Sequence, residues 1–298
     1  MASGLDALLH RPRPSAWQLF LRLPCVYLAD LLYSWHHAAP SQPTVDAVSI
    51  VCISDTHNGR PQLPDGDVLI HAGDLTQSGT HTELASTVAW LRRQTHPVKI
   101  VVAGNHDLLL DADFKTPREN SPALEWGDIV YLKNEATTVT CPNGRQLQVY
   151  GSPLSPKHGN WAFQYPRSYD AWSALSPPIP AGIDILVTHA PPRGHLDRQL
   201  GCVHLLQMLW RVRPRLHVFG HVHDGAGTEL VQFDTLQAAY EQTVLDKGGL
   251  VNLCRVFVHF VKACVWPAST KSTCQLVNAA MVGGLLDDEV RRPVEVVL

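Results

Sequence analysis

Three features of the sequence predict an α/β fold. The first is a set of five short runs rich in Val and Ile. The second is a helix-type stretch between two of them. The third is a length of 298 residues with 45% apolar and 17% charged side chains, enough to fill a sizeable core. The runs are 48–53 (VSIVCI), 67–70 (DVLI), 98–102 (VKIVV), 183–187 (IDILV) and 216–219 (LHVF). Each is short, contains Val or Ile and is followed within two residues by Gly, Ser, Thr or His, the pattern of a buried strand. Residues 82–94 set Leu84, Val88 and Leu91 on one helical face. Residues 137–151 read as a hairpin, because Asn143-Gly144 suits the positive φ angles of a tight turn. Residues 165–180, rich in Pro, Ser and Tyr, read as a loop around one helical turn.

Composition narrows the function classes. The formal net charge is −3 and the basic residues form no long run, so a nucleic-acid groove built on charge is not expected. Seven cysteines, an odd number, lie far apart without a CxxC pair. That usage fits reduced thiols in the cytoplasm and argues against a zinc–thiolate site. No run of 18 apolar residues is free of charge, although two regions come near. Residues 16–35 are interrupted by Arg22, Pro24 and Asp30, and residues 250–266 by Arg255 and Lys262. Residues 1–46 form an apolar leader ending in a Pro-containing linker, 39–44, ahead of a main domain over 47–298.

The chemistry gathers at strand ends. The five runs are followed by Ser54-Asp55-Thr56-His57-Asn58, His71-Ala72-Gly73-Asp74, Gly104-Asn105-His106-Asp107, Thr188-His189-Ala190-Pro191-Pro192 and Gly220-His221-Val222-His223-Asp224. In α/β folds, ligands collect at the carboxyl ends of strands, so five clusters can converge. Asp, Asn and His offer oxygen and imidazole donors, which suit Mn, Fe, Zn and similar ions. If these segments are extended, residues i and i+2 share a face, so Asp55 pairs with His57, and His221 with His223. Taken singly, an Asp after a strand is usually a turn residue or a cap. Five clusters in order are not dismissed that way.

The ordered set D-x-H, G-D, G-N-H-D, T-H-A-P-P and G-H-x-H resembles the calcineurin-like metallophosphoesterases, over roughly residues 46–228 with a remnant near 275–283. THAPPRG at 188–194, YGSPLSP at 150–156, FGHVHDG at 219–225 and LVNAA at 276–280 resemble one branch in particular. That branch holds the metallophosphoesterase-domain proteins and class III cyclic-nucleotide phosphodiesterases. The resemblance implies a four-layered αββα sandwich of two mixed sheets and two divalent or transition metal ions. It implies that Asp55, His57 and His223 hold one ion, that Asn105, His189 and His221 hold the other, and that Asp74 bridges them. It implies further that Asn105 and His106 meet the substrate phosphate, with His106 catalytic, and that the reaction is hydrolysis of a phosphoester, a phosphodiester ahead of a monoester.

Departures from the pattern qualify this. Asp107 stands where many relatives carry Glu. Arg193, after Pro-Pro, is a candidate for binding a substrate phosphate or carboxylate; the other reading is a solvated loop charge. An insertion of about 228–273 separates the last ligand loop from LVNAA. The apolar leader and this insertion favour a second reading, a catalytically weak metal-binding scaffold with a docking role. They also carry the expectation of peripheral membrane contact, with Trp17, Trp35 and Trp266 at the interface; ordinary helix packing is the alternative. A serine/threonine protein phosphatase fits less well, since Arg92 and Arg93 fall on the helical stretch. Oligomeric state is not legible.

Overall fold

A computed structural model describes residues 15–35, 46–114, 122–265, 272–283 and 289–298. The linker 39–44 and Trp266 lie outside the described residues. In chain order come helices α1 (Ala16–Arg22) and α2 (Pro24–Ser34), strands β1 (Ser49–Ile53) and β2 (Val68–Ala72), helix α3 (His81–Arg92), and strands β3 (Val98–Val102), β4 (Ile129–Leu132), β5 (Glu135–Thr140), β6 (Gln146–Ser152), β7 (Ser155–Pro156), β8 (Gln164–Tyr165) and β9 (Ile185–Thr188). Then follow α4 (Val203–Val212), β10 (Leu216–Phe219), β11 (Gly227–Gln232), α5 (Thr235–Leu245), α6 (Leu250–Val265), β12 (Thr273–Asn278), β13 (Val282–Gly283), β14 (Glu289–Val290) and β15 (Val294–Val297). The chain forms two compact units, one of residues 40–231 and 273–298, the other of 1–39 and 232–272.

The larger unit is built on two mixed sheets, ordered β15-β1-β2-β3-β4 and β11-β12-β10-β9-β6-β5. Strands β1 to β4 run parallel and β15 closes that sheet antiparallel to β1. In the other sheet, β12, β10, β9 and β6 are parallel and β5 folds back antiparallel on β6. Ile50, Cys52, Ile70, Ile100 and Val102 of the first sheet meet Leu147, Val149, Ile185, Val187, Val218 and Val277 of the second in one buried core. The alternate residues Val51, Ile53, Leu69 and Val101 face the other way and are covered by Val88 and Leu91 of α3. Strands buried on both faces read as continuous apolar runs, which is why these five stood out in the sequence. Helix α4 buries Leu205, Leu206, Met208, Leu209 and Val212 along one stripe, and the layering is αββα.

Local chemistry sets the ends of these elements. Thr80 and Glu83 form a reciprocal capping box at the start of α3. The β5–β6 turn uses Gly144 at φ +85°, as its Asn-Gly pair predicts. Residues 166–180 contain turns and no helix, so the expected helical turn is absent among these described residues. Strands β4 and β15 were not legible as strands: IVYL is half-buried, and Val294–Val297 alternates.

The smaller unit is helical. Pro24 occupies the first turn of α2 just after α1 ends, where its missing N–H costs nothing. Gly248 and Gly249, at φ +115° and +107°, let the chain reverse between α5 and α6. Ala29 of α2, Leu236, Tyr240 and Val244 of α5, and Val256 of α6 form its core. Tyr33 stacks on Tyr240 with ring centroids 4.2 Å apart. Leader and insertion helices therefore pack on one another. No helix of the described residues is long and apolar enough to cross a membrane.

Candidate metal centre

The five strand-end clusters converge at the carboxyl edge of the two sheets. Neighbouring strands in register bring them there: β1 pairs with β2, β2 with β3, and β9 with β10. The ligand loops then leave the strands through left-handed backbone. Asp55, His57, Asp74 and His221 have φ of +51°, +43°, +51° and +68°. Side chains with a Cβ rarely adopt such angles, and they persist where surrounding structure enforces them, often at functional sites. This corrects the extended i, i+2 geometry expected from the sequence. Asp55 and His57 do share one group of ligand atoms, through left-handed turns, while His221 and His223 part into different groups.

Three groups of potential ligands stand within 4.8 Å: Asp55, His57 and His223; Asp74, His189 and His221; and His57, Asp74 and His106. Within the first, His223 Nε2 is 3.3 Å from Asp55 Oδ1 and 3.4 Å from His57 Nε2. Within the second, His189 Nε2 is 3.4 Å from Asp74 Oδ2 and 3.2 Å from His221 Nδ1. The amide oxygen of Asn105 lies 2.9 Å from His189 Nε2. Asp74 Oδ2 also stands 3.9 Å from His57 Nε2, so Asp74 faces both main groups.

The donor set fits a metal on its own terms. Imidazole nitrogens converge on each other and on carboxylates, an arrangement that calls for a cation or a shared proton. His189 Nδ1–H donates to the carbonyl of Ala72 at 3.0 Å, which leaves Nε2 as the inward lone pair, the usual outer support of a ligating histidine. Asp55 accepts the backbone N–H of His221 on both oxygens at 3.0 Å, and Asp74 accepts that of His106 at 2.8 Å. Electrostatics agrees. Burial pushes the Asp55 carboxyl up, but the hydrogen bond and charge of His223 more than offset it and hold it at about 2. Burial likewise opposes ionisation of Asp74, yet His189 keeps it well below the usual carboxylate range. Burial would lower His189, but Asp74 raises it to about 9, while burial and the His189 charge push His221 down to about 3. A proton on His189 thus occupies the electrostatic place of a cation, and metal uptake would displace it.

The remaining sequence-selected residues fall as follows. His106 is half-buried at the open side; its Nδ1–H donates to Gln77 O at 2.7 Å and its ring stacks on Trp161 at 4.3 Å. Asp107 accepts from the N–H groups of Leu75, Thr76 and Gly104 and from the Thr76 hydroxyl, tying the β2 and β3 loops together. Arg193 is held in its own loop, with its guanidinium on the carbonyl of Gln199. Two groups went unread in the sequence. The His158 ring lies 4.7 Å from that of His221, and Trp161 backs His106. Both sit in the short loop between β7 and β8, where HGNW follows no run rich in Val and Ile. The concentration of polar and aromatic side chains there was the available signal.

The profile of calcineurin-like phosphoesterases matches residues 48–225, a span that contains every ligand group above. The chain belongs to the calcineurin-like phosphoesterase family. It is 46% identical over 292 residues to "Probable rhamnogalacturonate lyase C" of Emericella nidulans, covering 95% of this chain and 28% of that protein. It is 38% identical over 221 residues to human "Metallophosphoesterase domain-containing protein 1", covering 64% of each, and 34% identical over 218 residues to "UPF0046 protein T07D4.2" of Caenorhabditis elegans, covering 61% of this chain and 53% of that protein. The chain thus spans less than two thirds of the length of these relatives. A solved structure, TT1561 of Thermus thermophilus, is similar with a TM-score of 0.40 and 14% identity over 62% of this chain and 84% of that one, too weak a likeness to bear on the site. As a family phosphoesterase, the chain carries its candidate metal ligands inside the matched region.

Proposed function

We propose that this phosphoesterase hydrolyses a phosphodiester at a centre holding two divalent or transition metal ions. Asp55, His57 and His223 would hold one ion, Asn105, His189 and His221 would hold the other, and Asp74 would be shared. The observation that carries the reading is Asp74, whose carboxylate faces both groups of ligand atoms. When bound, such ions supply Lewis acidity, which polarises phosphoryl oxygens and acidifies water.

The chain's own groups do the rest. Asn105 and His106 border the place for the phosphate. His106 Nδ1–H is committed to the Gln77 carbonyl, so proton exchange with substrate falls to Nε2. In its cationic form, His106 donates from Nε2 to the leaving oxygen, as general acid catalysis requires. Trp161 holds that ring in place by stacking. The rim offers imidazoles (His106, His158) and an indole, while the Arg193 guanidinium is engaged by Gln199. A site rimmed by imidazole rather than guanidinium suits the single charge of a diester better than a monoester dianion. The loop resemblance to the phosphodiesterase branch supports the same order.

The test is hydrolysis of bis-p-nitrophenyl phosphate against p-nitrophenyl phosphate by Mn-loaded protein, with metal content measured on the same sample. A higher kcat/KM for the diester is expected. A preference for the monoester would reject the diester assignment, and folded protein that takes up no metal would reject the centre.

A further inference from the structure

Helix α6 has two apolar sectors, of which only one is covered. Leu253, Val256, Phe260 and Ala263 face the core of the helical unit. Taken round the helix at its period of 3.6, Phe257, Leu250, Val261, Cys254, Val265, Val258 and Val251 form one continuous outer arc. Every one of them is exposed, Leu250 by 75% and Phe257 by 55%. The arc is bordered on one side by Lys262 and Arg255. Beyond them, Arg255, His259 and Asn252 line a groove against Thr235 and Gln242 of α5. The Nδ1 atom of His259 is buried there without a hydrogen-bond partner. In the same unit, Trp17, Leu21 and Trp35 are exposed by 65%, 64% and 59%.

We propose that this face of the helical unit docks on an anionic phospholipid bilayer. The aliphatic arc and the two indoles enter the acyl boundary, and Arg255 and Lys262 at the edge of the arc meet headgroup phosphates. The charge pattern selects this occupant. Helices α1 and α6 carry Arg22, Arg255 and Lys262 and not one Asp or Glu. Two acids lie nearby: Asp246, which accepts from Gln242 and Asn252 and feels the charge of Arg255, and Asp30, which accepts from Tyr240. A second copy seated on this face would bring like cations together with no acid on α6 to pair them, since a two-fold interface apposes the same surface. Anionic lipid supplies countercharge to the whole basic edge, Lys262 included, and a basic-edged apolar helix with interfacial Trp is the form that lies in a membrane interface.

The test is flotation of the full chain with vesicles of phosphatidylcholine alone and with phosphatidylserine added. Flotation should require phosphatidylserine, weaken with salt, and shift tryptophan emission to the blue. Val258→Glu with Val261→Glu, both at exposed positions, should abolish flotation while metal content and thermal stability stay unchanged. Arg255→Glu with Lys262→Glu should remove the preference for phosphatidylserine. Failure of the unaltered chain to float at low salt would overturn the proposal, as would equal flotation by the Glu variants. A dimer in light scattering that Val258→Glu dissolves, without flotation, would assign the face to a second copy instead.

Discussion

Strain and support at single residues decide what this centre can do. Four of the proposed ligands sit at positive φ, so the loops hold them at a conformational cost of about 1–3 kcal/mol each. Glycine makes room between them: a Cβ on Gly220 would lie 1.9 Å from Asp55 Oδ2, and one on Gly104 would lie 2.3 Å from Asp74 Oδ1. These glycines stand directly before or beside the ligands in the sequence, whereas their role as space for a neighbouring carboxylate needed the fold. Because Asp74 faces both groups, Asp74→Asn should lose more metal and more activity than His223→Ala, which touches one group. Elemental analysis of the two variants checks this, and near-normal turnover in Asp74→Asn would remove the bridging role. His106 lies in a third group with His57 and Asp74, so its role needs separating from ligation. His106→Ala should lower kcat by about 10²–10⁴-fold, the usual range for proton transfer, with metal content intact. The loss should shrink for substrates that release p-nitrophenol, whose departure needs little protonation. Loss of metal in that variant would make His106 a ligand.

At the scale of elements, the strands carry buried histidines that never meet a metal group. His71 on β2 pairs with the Thr56 hydroxyl at 2.9 Å, and His217 on β10 with that of Thr188 at 2.8 Å. The Thr188 hydroxyl donates to Ala190 O, so the His217 Nε2–H donates to it, and burial favours the neutral ring. Burial lowers His71 to about 4 and His217 to about 3. Below pH 6.5 the unfolded chain protonates these rings and the folded chain does not, so stability falls as pH drops toward 4. Each contributes a slope of roughly 1.4 kcal/mol per pH unit over that window. His217→Phe keeps the Thr188–Ala190 bond and should reduce the acid slope by about that amount, measured by urea unfolding between about pH 6.5 and pH 4.5. An unchanged slope would show that His217 titrates in the folded state. The buried strands that hold these rings were legible because both faces are covered and apolar residues dominate each run. Helices α2 and α6 were legible only as apolar segments: periodicity cannot say which of two apolar sectors is covered, and the leader and insertion had to fold together to settle it.

At the scale of the whole chain, the centre links its folding to metal. Asp55, Asp74, Asn105 and His189 are almost wholly buried, and they come from β1, β2, β3 and β9, which are far apart in sequence. The unfolded chain therefore holds no comparable site, and any ion bound by the sandwich stabilises it by RT ln(1 + [L]/Kd). At a free metal concentration a hundredfold above Kd, one site contributes about 2.7 kcal/mol. For a unit of this size that corresponds to a rise in Tm of roughly 5–10 °C. Calorimetry of the EDTA-treated protein, before and after Mn²⁺ or Zn²⁺ addition, should show the sandwich transition move up by at least that much. Asp74→Asn should lose most of the rise, because the carboxylate common to both groups is gone, while His223→Ala should keep the part that belongs to the Asn105–His189–His221 group. A full rise in Asp74→Asn would mean that metal stabilises the fold from somewhere other than this centre. The same measurement separates structure from chemistry: His106→Ala, proposed to touch substrate rather than metal, should keep the whole shift while turnover falls.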